Sequence, residues 1–540
     1  MSPRTLLSLV LAGGWFLSFL ACTPRNLDEP GLEPLGEIRL GSFTKTQYPI
    51  QYEEAILVAE SWRKLGLEVR IEPLNFPNPV VERLFQTREF DAFVIYFTPQ
   101  LERLEPDFWT YNTFHSSNAG PGGWNITGFA SEEFDRLAEA QRAEYDLEKR
   151  KTLIRQCQEI LHREAPWNVI VNQDELQAYN KENFKNPVIP KPGGFKDPMA
   201  FFTIKPVGDR KVIRWAVEWS GLKTINPLLV SESTQVRLLH FIYDTLVKIG
   251  PDTETQLWAA TNIDPINETT FDVSIRDDLH FHDGTRVTTD DVAFTFEFML
   301  EHKAFYFRAA LEPIASVEVL DSRTVRFHLK HPYTPFISQT LGMVPLLPRH
   351  VWQTMDNPTE HRNIPPVGSG PFKFDHWKET QELALTRFED HFQPTYVEGV
   401  LVVFYGTREA AFTALKRGET DVVDILLPHQ MEELKQLDFI QTVQLASHGS
   451  DSVIFNVRRP PFSDPQLRLA LNYAIPRQQI LEELYTGYGN LGAPIIAPAN
   501  PVWTHSELAP YPYDMNQARD ILERAGYRWD RRGRLCYSAE

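Results

Sequence analysis

Apolar residues alternate with polar ones over short runs and recur every three to four residues over longer ones, and the two kinds of run take turns along the chain. Residues 38–40 predict a strand, 55–64 an amphipathic helix stopped by Gly66, and 67–71 a second alternating strand, which together read as a β-α-β unit. The run 90–96 is apolar enough for a buried strand, and 132–164 reads as two helices broken around Tyr145-Asp146. Further on, the pattern predicts a helix over 235–246, strands at 271–276, 325–329, 383–387 and 421–426, and helices at 410–416, 465–474 and 516–525. Asp283-Gly284-Thr285 predicts a turn, and Thr288-Thr289-Asp290-Asp291 a capping box that opens the helix 292–301. Strand and helix alternate as in α/β lobes, with no solenoid-type repeat.

At 540 residues the chain is too long for one core, so two or more lobes are expected. Hydrophobic residues at 42% and charged residues at 23% suit a folded chain. A formal charge of −18 with scattered Lys and Arg leaves no basic face for phosphates, which argues against a nucleic-acid partner. Near the start of the sequence Arg4 precedes an apolar stretch, Leu6 to Leu20, short for a membrane span and followed by Ala21-Cys22. This reads as an export signal over 1–21 whose end resembles a bacterial lipoprotein cleavage site, with Cys22 as the lipidated residue. A plain signal peptide cut elsewhere and a membrane helix are the alternatives. Residues 22–35, rich in Pro, Gly and acids, suit a tether. Cys157 shares a helical face with Leu153, Ile160 and Leu161 and reads as a core thiol, pairing with Cys536 being the alternative.

Several motifs invite chemistry. His280 and His282 alternate on a predicted strand and could offer two metal nitrogens, but no Cys, His or carboxylate cluster completes a zinc set, and a structural role is preferred. Gly368-Ser369-Gly370 is not a Gly-x-Ser-x-Gly elbow and reads as a permissive loop. Neither a Walker loop nor His-Glu-x-x-His occurs, so no catalysis and no cofactor is expected.

Ordered motifs then carry a resemblance. Thr224-Ile225-Asn226-Pro227, Ile242-Tyr243-Asp244-Thr245-Leu246, Phe281-His282-Asp283-Gly284 with Thr289-Asp290-Asp291-Val292, Pro366 to Phe372, Gly418-Glu419-Thr420-Asp421 and Asp464 to Leu471 resemble the peptide, dipeptide and nickel family, family 5, of extracytoplasmic solute-binding proteins. The resemblance implies an α/β, two-lobed periplasmic-binding-protein type II fold of the large family-5 type, with a hinge and an interlobe cleft. Its blocks stand in swapped order. The C-terminal blocks of the family resemble residues 37–204 here, and the family's N-terminal strand resembles the stretch that begins at Lys211. We read this as a circular permutation with its seam near 206–210. The alternative is a fragment of two tandem genes, or a chain that needs a partner copy. The permutation implies one lobe from 36–172 and 451–540, and a second, continuous lobe over 173–450.

The resemblance also implies a function: trapping a solute by hinge closure and delivering it to a permease and ATPase of an importer. Peptide is the leading solute, with nickel chelates and oligosaccharides behind, and a sensor-type receptor of the same fold is the rival reading. The protein would be a monomer, exported and held at the membrane only through its lipid anchor. Counting back three residues from Glu105-Pro106 places Glu102 where peptide-binding members hold the ligand ammonium. Trp124 and Asn125 correspond to the cleft wall of the same lobe, Trp219 to the opposite lobe, and Lys45 to the region of the carboxylate-binding Arg.

Overall fold

A computed structural model describes residues 32–538 except 192, 219–221, 223 and 232, so Cys22 and Trp219 lie outside the described residues. Two large mixed sheets organise the molecule. The six-stranded sheet runs Gly489–Leu491, Trp167–Gln173, Ser450–Phe455, Ala92–Phe97, Ile38–Phe43, Val69–Leu74. Ile38–Phe43 is parallel to both its neighbours and the remaining pairs are antiparallel. The period-two pattern sorts this sheet's residues onto two cores. Ala92, Val94, Val453 and Phe455 pack beneath the helices Pro49–Lys64 and Pro465–Tyr473, while Phe93, Ile95, Phe97 and Ile454 join an aromatic core with Trp109, Phe114 and Trp167.

The seven-stranded sheet runs Phe372–Lys378, Glu382–Arg387, Gly399–Tyr405, Val212–Glu218, Val422–Val423, Glu175–Asn180, Ile440–Leu445. It shares its main core with an antiparallel four-stranded sheet, Ala260–Asn267, Thr270–Ile275, Thr324–Leu329 and Ile314–Val319. The result is two lobes. The backbone passes between the two large sheets twice, at Asp174 and through residues 446–449.

Both ends of the described chain meet in the six-stranded lobe. Leu32–Pro34 pairs antiparallel with Leu535–Ser538, and Leu535 N donates to Gly66 O at 2.8 Å. Gly66 has φ +90°, and a Cβ there would lie 2.2 Å from the Gly533 carbonyl oxygen, so the close approach needs glycine.

Most predicted elements form, with instructive differences at their ends. The first helix begins at Pro49 rather than 55, because proline at its first turn forfeits no intrahelical bond. The helix Ser233–Ile242 stops short of 246, and the Asp244 carboxylate beyond it accepts from Trp258 Nε1 at 2.7 Å and contacts His391 Nε2 at 3.2 Å. The expected strand 421–426 shrinks to Val422–Val423, as Asp424 turns out to pair with Arg237 at 3.0 Å. The capping box forms as predicted, with Asp291 N donating to Thr288 Oγ1 and Thr288 N to Asp291 Oδ2. Cys157 is a buried free thiol whose ionisation burial pushes up to about 12, so the alternative pairing with Cys536 is not made.

Candidate functional site: the interlobe cleft

The cleft between the lobes has an inner, hinge-side part and an outer seam. Near the crossovers lies a cavity of ≈ 60 Å³. Tyr48, Gln51, Tyr96 and Tyr485 come to it from the six-stranded lobe, and Glu175, Lys196 and Arg408 from the other. Each cation of this wall already has an acid. Arg408 Nε lies 2.6 Å from Glu218 Oε2 at the end of the central strand, and Lys196 pairs with Glu175. Burial opposes charge on Arg408, but Glu218 more than offsets it and holds the guanidinium above its ordinary value. Burial, and then the neighbouring Glu175 carboxylate, raises the Tyr96 phenol, which stays neutral. The cavity is therefore a polar chamber with both signs of charge held ready, placed where lobe movement would open or seal it.

The outer seam is closed by hydrogen bonds between the lobes. Tyr306 Oη donates to Glu102 Oε1 at 2.8 Å, Gln339 Nε2 to Glu102 O at 3.2 Å and Ser338 Oγ to Glu105 Oε2 at 3.0 Å. At the far rim Thr334 N donates to Arg142 O at 2.7 Å and Tyr145 Oη to Glu268 O at 2.7 Å. The Arg142 guanidinium lies over Tyr111 at 3.8 Å and over Tyr333 at 4.9 Å, and its Nε is 3.0 Å from Asp107 Oδ1. Arg103 is buried at this seam over Phe97 at 4.6 Å, and burial lowers its ionisation.

The expected site residues fare differently. Glu102 does stand in the interlobe seam, and its carboxylate is held by the phenol of Tyr306 across the cleft. Asn125 is fully buried and committed to its own loop. Its Nδ2 donates to Phe114 O, His115 O and Phe129 O, and its Oδ1 accepts from Thr127 Oγ1 and Gly128 N, which leaves nothing for a solute. Trp124 sits edge-on to Phe85 and Phe108 at 5.2 and 5.4 Å, closing the aromatic core beside Phe97, and does not line the inner cavity. Lys45 is on the surface, paired with Glu53 at 2.6 Å. Arg408, Lys196 and Glu175 escaped the sequence reading because no local motif marks them, and they converge on the cavity from well-separated stretches of the chain; Tyr306, likewise unmarked, meets Glu102 at the outer seam.

Of the motifs with chemical promise, His282 Nε2 lies 2.9 Å from Gly370 O, and Gly368 N donates to its Nδ1. No group of three or more His, Cys, Asp or Glu that could hold a metal occurs among the described residues. Ser369 is buried and accepts from Asp244 N at 3.3 Å. No helix among the described residues is long and apolar enough to cross a membrane.

Residues 254–535 match the family described as bacterial extracellular solute-binding proteins, family 5 Middle. The oligopeptide-binding protein AppA of Bacillus subtilis is 25% identical over 317 residues, covering 56% of this chain and 57% of that protein. The di/tripeptide-binding protein 1 of Pseudomonas aeruginosa is 27% identical over 266 residues, 46% of this chain and 49% of its own. The glutathione-binding protein GsiB of Shigella flexneri is 26% identical, with 48% and 50% covered. The chain thus spans about half the length of the relatives it matches. Among solved structures, NikZ of Campylobacter jejuni, in complex with Ni(L-His), superposes with TM-score 0.51 at 22% identity, covering 62% of this chain and 66% of that one, a likeness of fold.

Proposed function

The chain belongs to family 5 of the bacterial extracellular solute-binding proteins, and from that premise we propose that it is the substrate-binding component of a peptide-type importer. The observation that carries this reading is the inner cavity, which is polar, bears both signs of charge and is walled by two lobes that are joined, among the described residues, through two backbone crossovers and hydrogen-bonded seams. Such a joint permits hinge closure. A solute entering the open cleft would be enclosed by the ion-paired walls, and the closed form would be presented to a membrane permease with its ATPase. Export, lipidation at Cys22 and action as a monomer complete the reading, in which the protein performs no catalysis.

The order of blocks is best read as a circular permutation with its seam near 206–210. Both sheets support it: the six-stranded one draws on 38–97, 167–173 and 450–491, the seven-stranded one on 175–445. A sequential comparison with unpermuted relatives can follow one arm only, and coverage of about half is what such an arrangement yields. The lobes on this reading are 36–172 with 451–540, and 173–450.

Solution scattering with and without a panel of di- to hexapeptides, nickel chelates and oligosaccharides tests the function. A peptide should reduce the radius of gyration and be recovered by native mass spectrometry. Absence of both compaction and bound solute across the panel would overturn the reading.

A further inference from the structure

Behind the cavity wall, in the six-stranded lobe, two acids share one phenol. Tyr485 Oη lies 3.0 Å from Glu54 Oε1 and 2.6 Å from Asp451 Oδ2, and Gln51 Nε2 donates to Asp451 Oδ1 at 2.9 Å. Glu54, on the first helix, and Asp451, two residues past the second crossover, are both fully buried. The hydrogen-bond count is decisive. A phenol has one proton to donate, so it can satisfy one carboxylate, and the second short contact requires an acid proton pointing back at the phenol oxygen. Asp451 accepts on both oxygens, and Glu54 Oε2 has no partner, so the cluster fits a neutral Glu54 acid donating to Tyr485, which donates to an Asp451 carboxylate. Among the described residues no lysine or arginine bonds to either acid. Burial raises both acids above the usual carboxylate range, each reinforced or relieved by the shared partners.

Gln51 and Tyr485 also line the interlobe cavity, so the cluster lies one side chain from it. Tyr96 faces Asp451 from the neighbouring strand. The other titratable groups around the cavity are Tyr48, Tyr488, Asp174 and the paired Glu175–Lys196 and Arg408–Glu218. When the lobes part, water reaches this wall and can hydrate a second negative charge. When they close it cannot, and two anions would flank one phenol in a dry site.

We propose that closure of the lobes takes up one proton at the Glu54–Tyr485–Asp451 cluster, so that falling pH favours the closed form and rising pH the open one. This rests on the hinge-closing reading above. By linkage, any solute that closes the protein must also bind with proton uptake in the same pH range.

The test is solution scattering of the full solute-free chain from pH 5.5 to 9. The wild type should expand as pH rises, over a transition of one-proton steepness. Glu54→Gln keeps a donor toward Tyr485 and removes the titration, and should stay compact across the range. Asp451→Asn, the second variant, should also lose the transition. A wild-type curve flat in pH, or one unchanged in both variants, overturns the coupling. The hinge reading is judged separately, by whether the peptide panel compacts the wild type at pH 9, where the solute-free chain is open.

Discussion

Asn125 shows how a single side chain can look like a ligand contact and be a structural clamp. Its amide closes the loop from 114 to 129 with five hydrogen bonds from a site with no solvent exposure. Asn125→Ala should therefore cost about 2–4 kcal/mol of stability, since several buried partners are left unsatisfied. Denaturant titration measures this, and unchanged stability would rule the clamp out. Tyr306→Phe tests the opposite case. It removes the hydroxyl that reaches Glu102 from the other lobe while keeping the ring, so overall stability should change by about 1 kcal/mol or less while the solute-free protein becomes measurably more open in solution. Glu102 was singled out through the family resemblance; its partner was not, because Tyr306 is 204 residues away and nothing local marks it.

At the scale of elements, the crossover 446–449 is built to tolerate little. His448 is buried with Nε2 2.9 Å from Gln100 O, Ser447 Oγ accepts from Gly449 N, and a Cβ on Gly449 would lie 2.6 Å from Phe97 O. Burial depresses the His448 imidazole to about 4, and does the same to His240. Because the folded values lie below the unfolded one, near 6.5, the unfolded chain binds protons first. The stabilisation is complete above about pH 6.5 and is lost as pH falls toward 4. Each imidazole should cost about 2 kcal/mol at pH 5 relative to neutral pH. Denaturation midpoints at pH 7 and 5 measure the loss, and His448→Gln should remove one share of it. An acid response identical in that variant would show that His448 does not contribute.

For the whole molecule, the swapped block order makes a contrast between two backbone sites. Residues 207–209 are exposed between Lys205–Pro206 and Val212–Glu218, whereas 447–449 are buried at the hinge. Cleavage at an introduced protease site in 207–209 should leave both sheets assembled and lower the unfolding temperature by only about 5 °C or less. The same insertion within 447–449 should prevent folding or separate the lobes. Equal damage at the two sites, read by calorimetry, would contradict the seam.

Taken alone, the sequence determined the alternation of strands and helices, the capping box at Thr288, the buried Cys157 and the family, because these rest on periodicity, local hydrogen bonding and ordered motifs that need no distant partner. Only the tertiary structure decided what faces the cleft. Arg408, Lys196 and Glu175 meet at the inner cavity through the packing of the lobes, Tyr306 reaches Glu102 across the outer seam, Asn125 turns inward because its loop offers three carbonyls, and Glu54 meets Asp451 through Tyr485 across 397 residues of chain. Such convergence depends on which sheet edge each strand occupies, and a pattern of apolar and polar positions carries a strand's faces but not its neighbours.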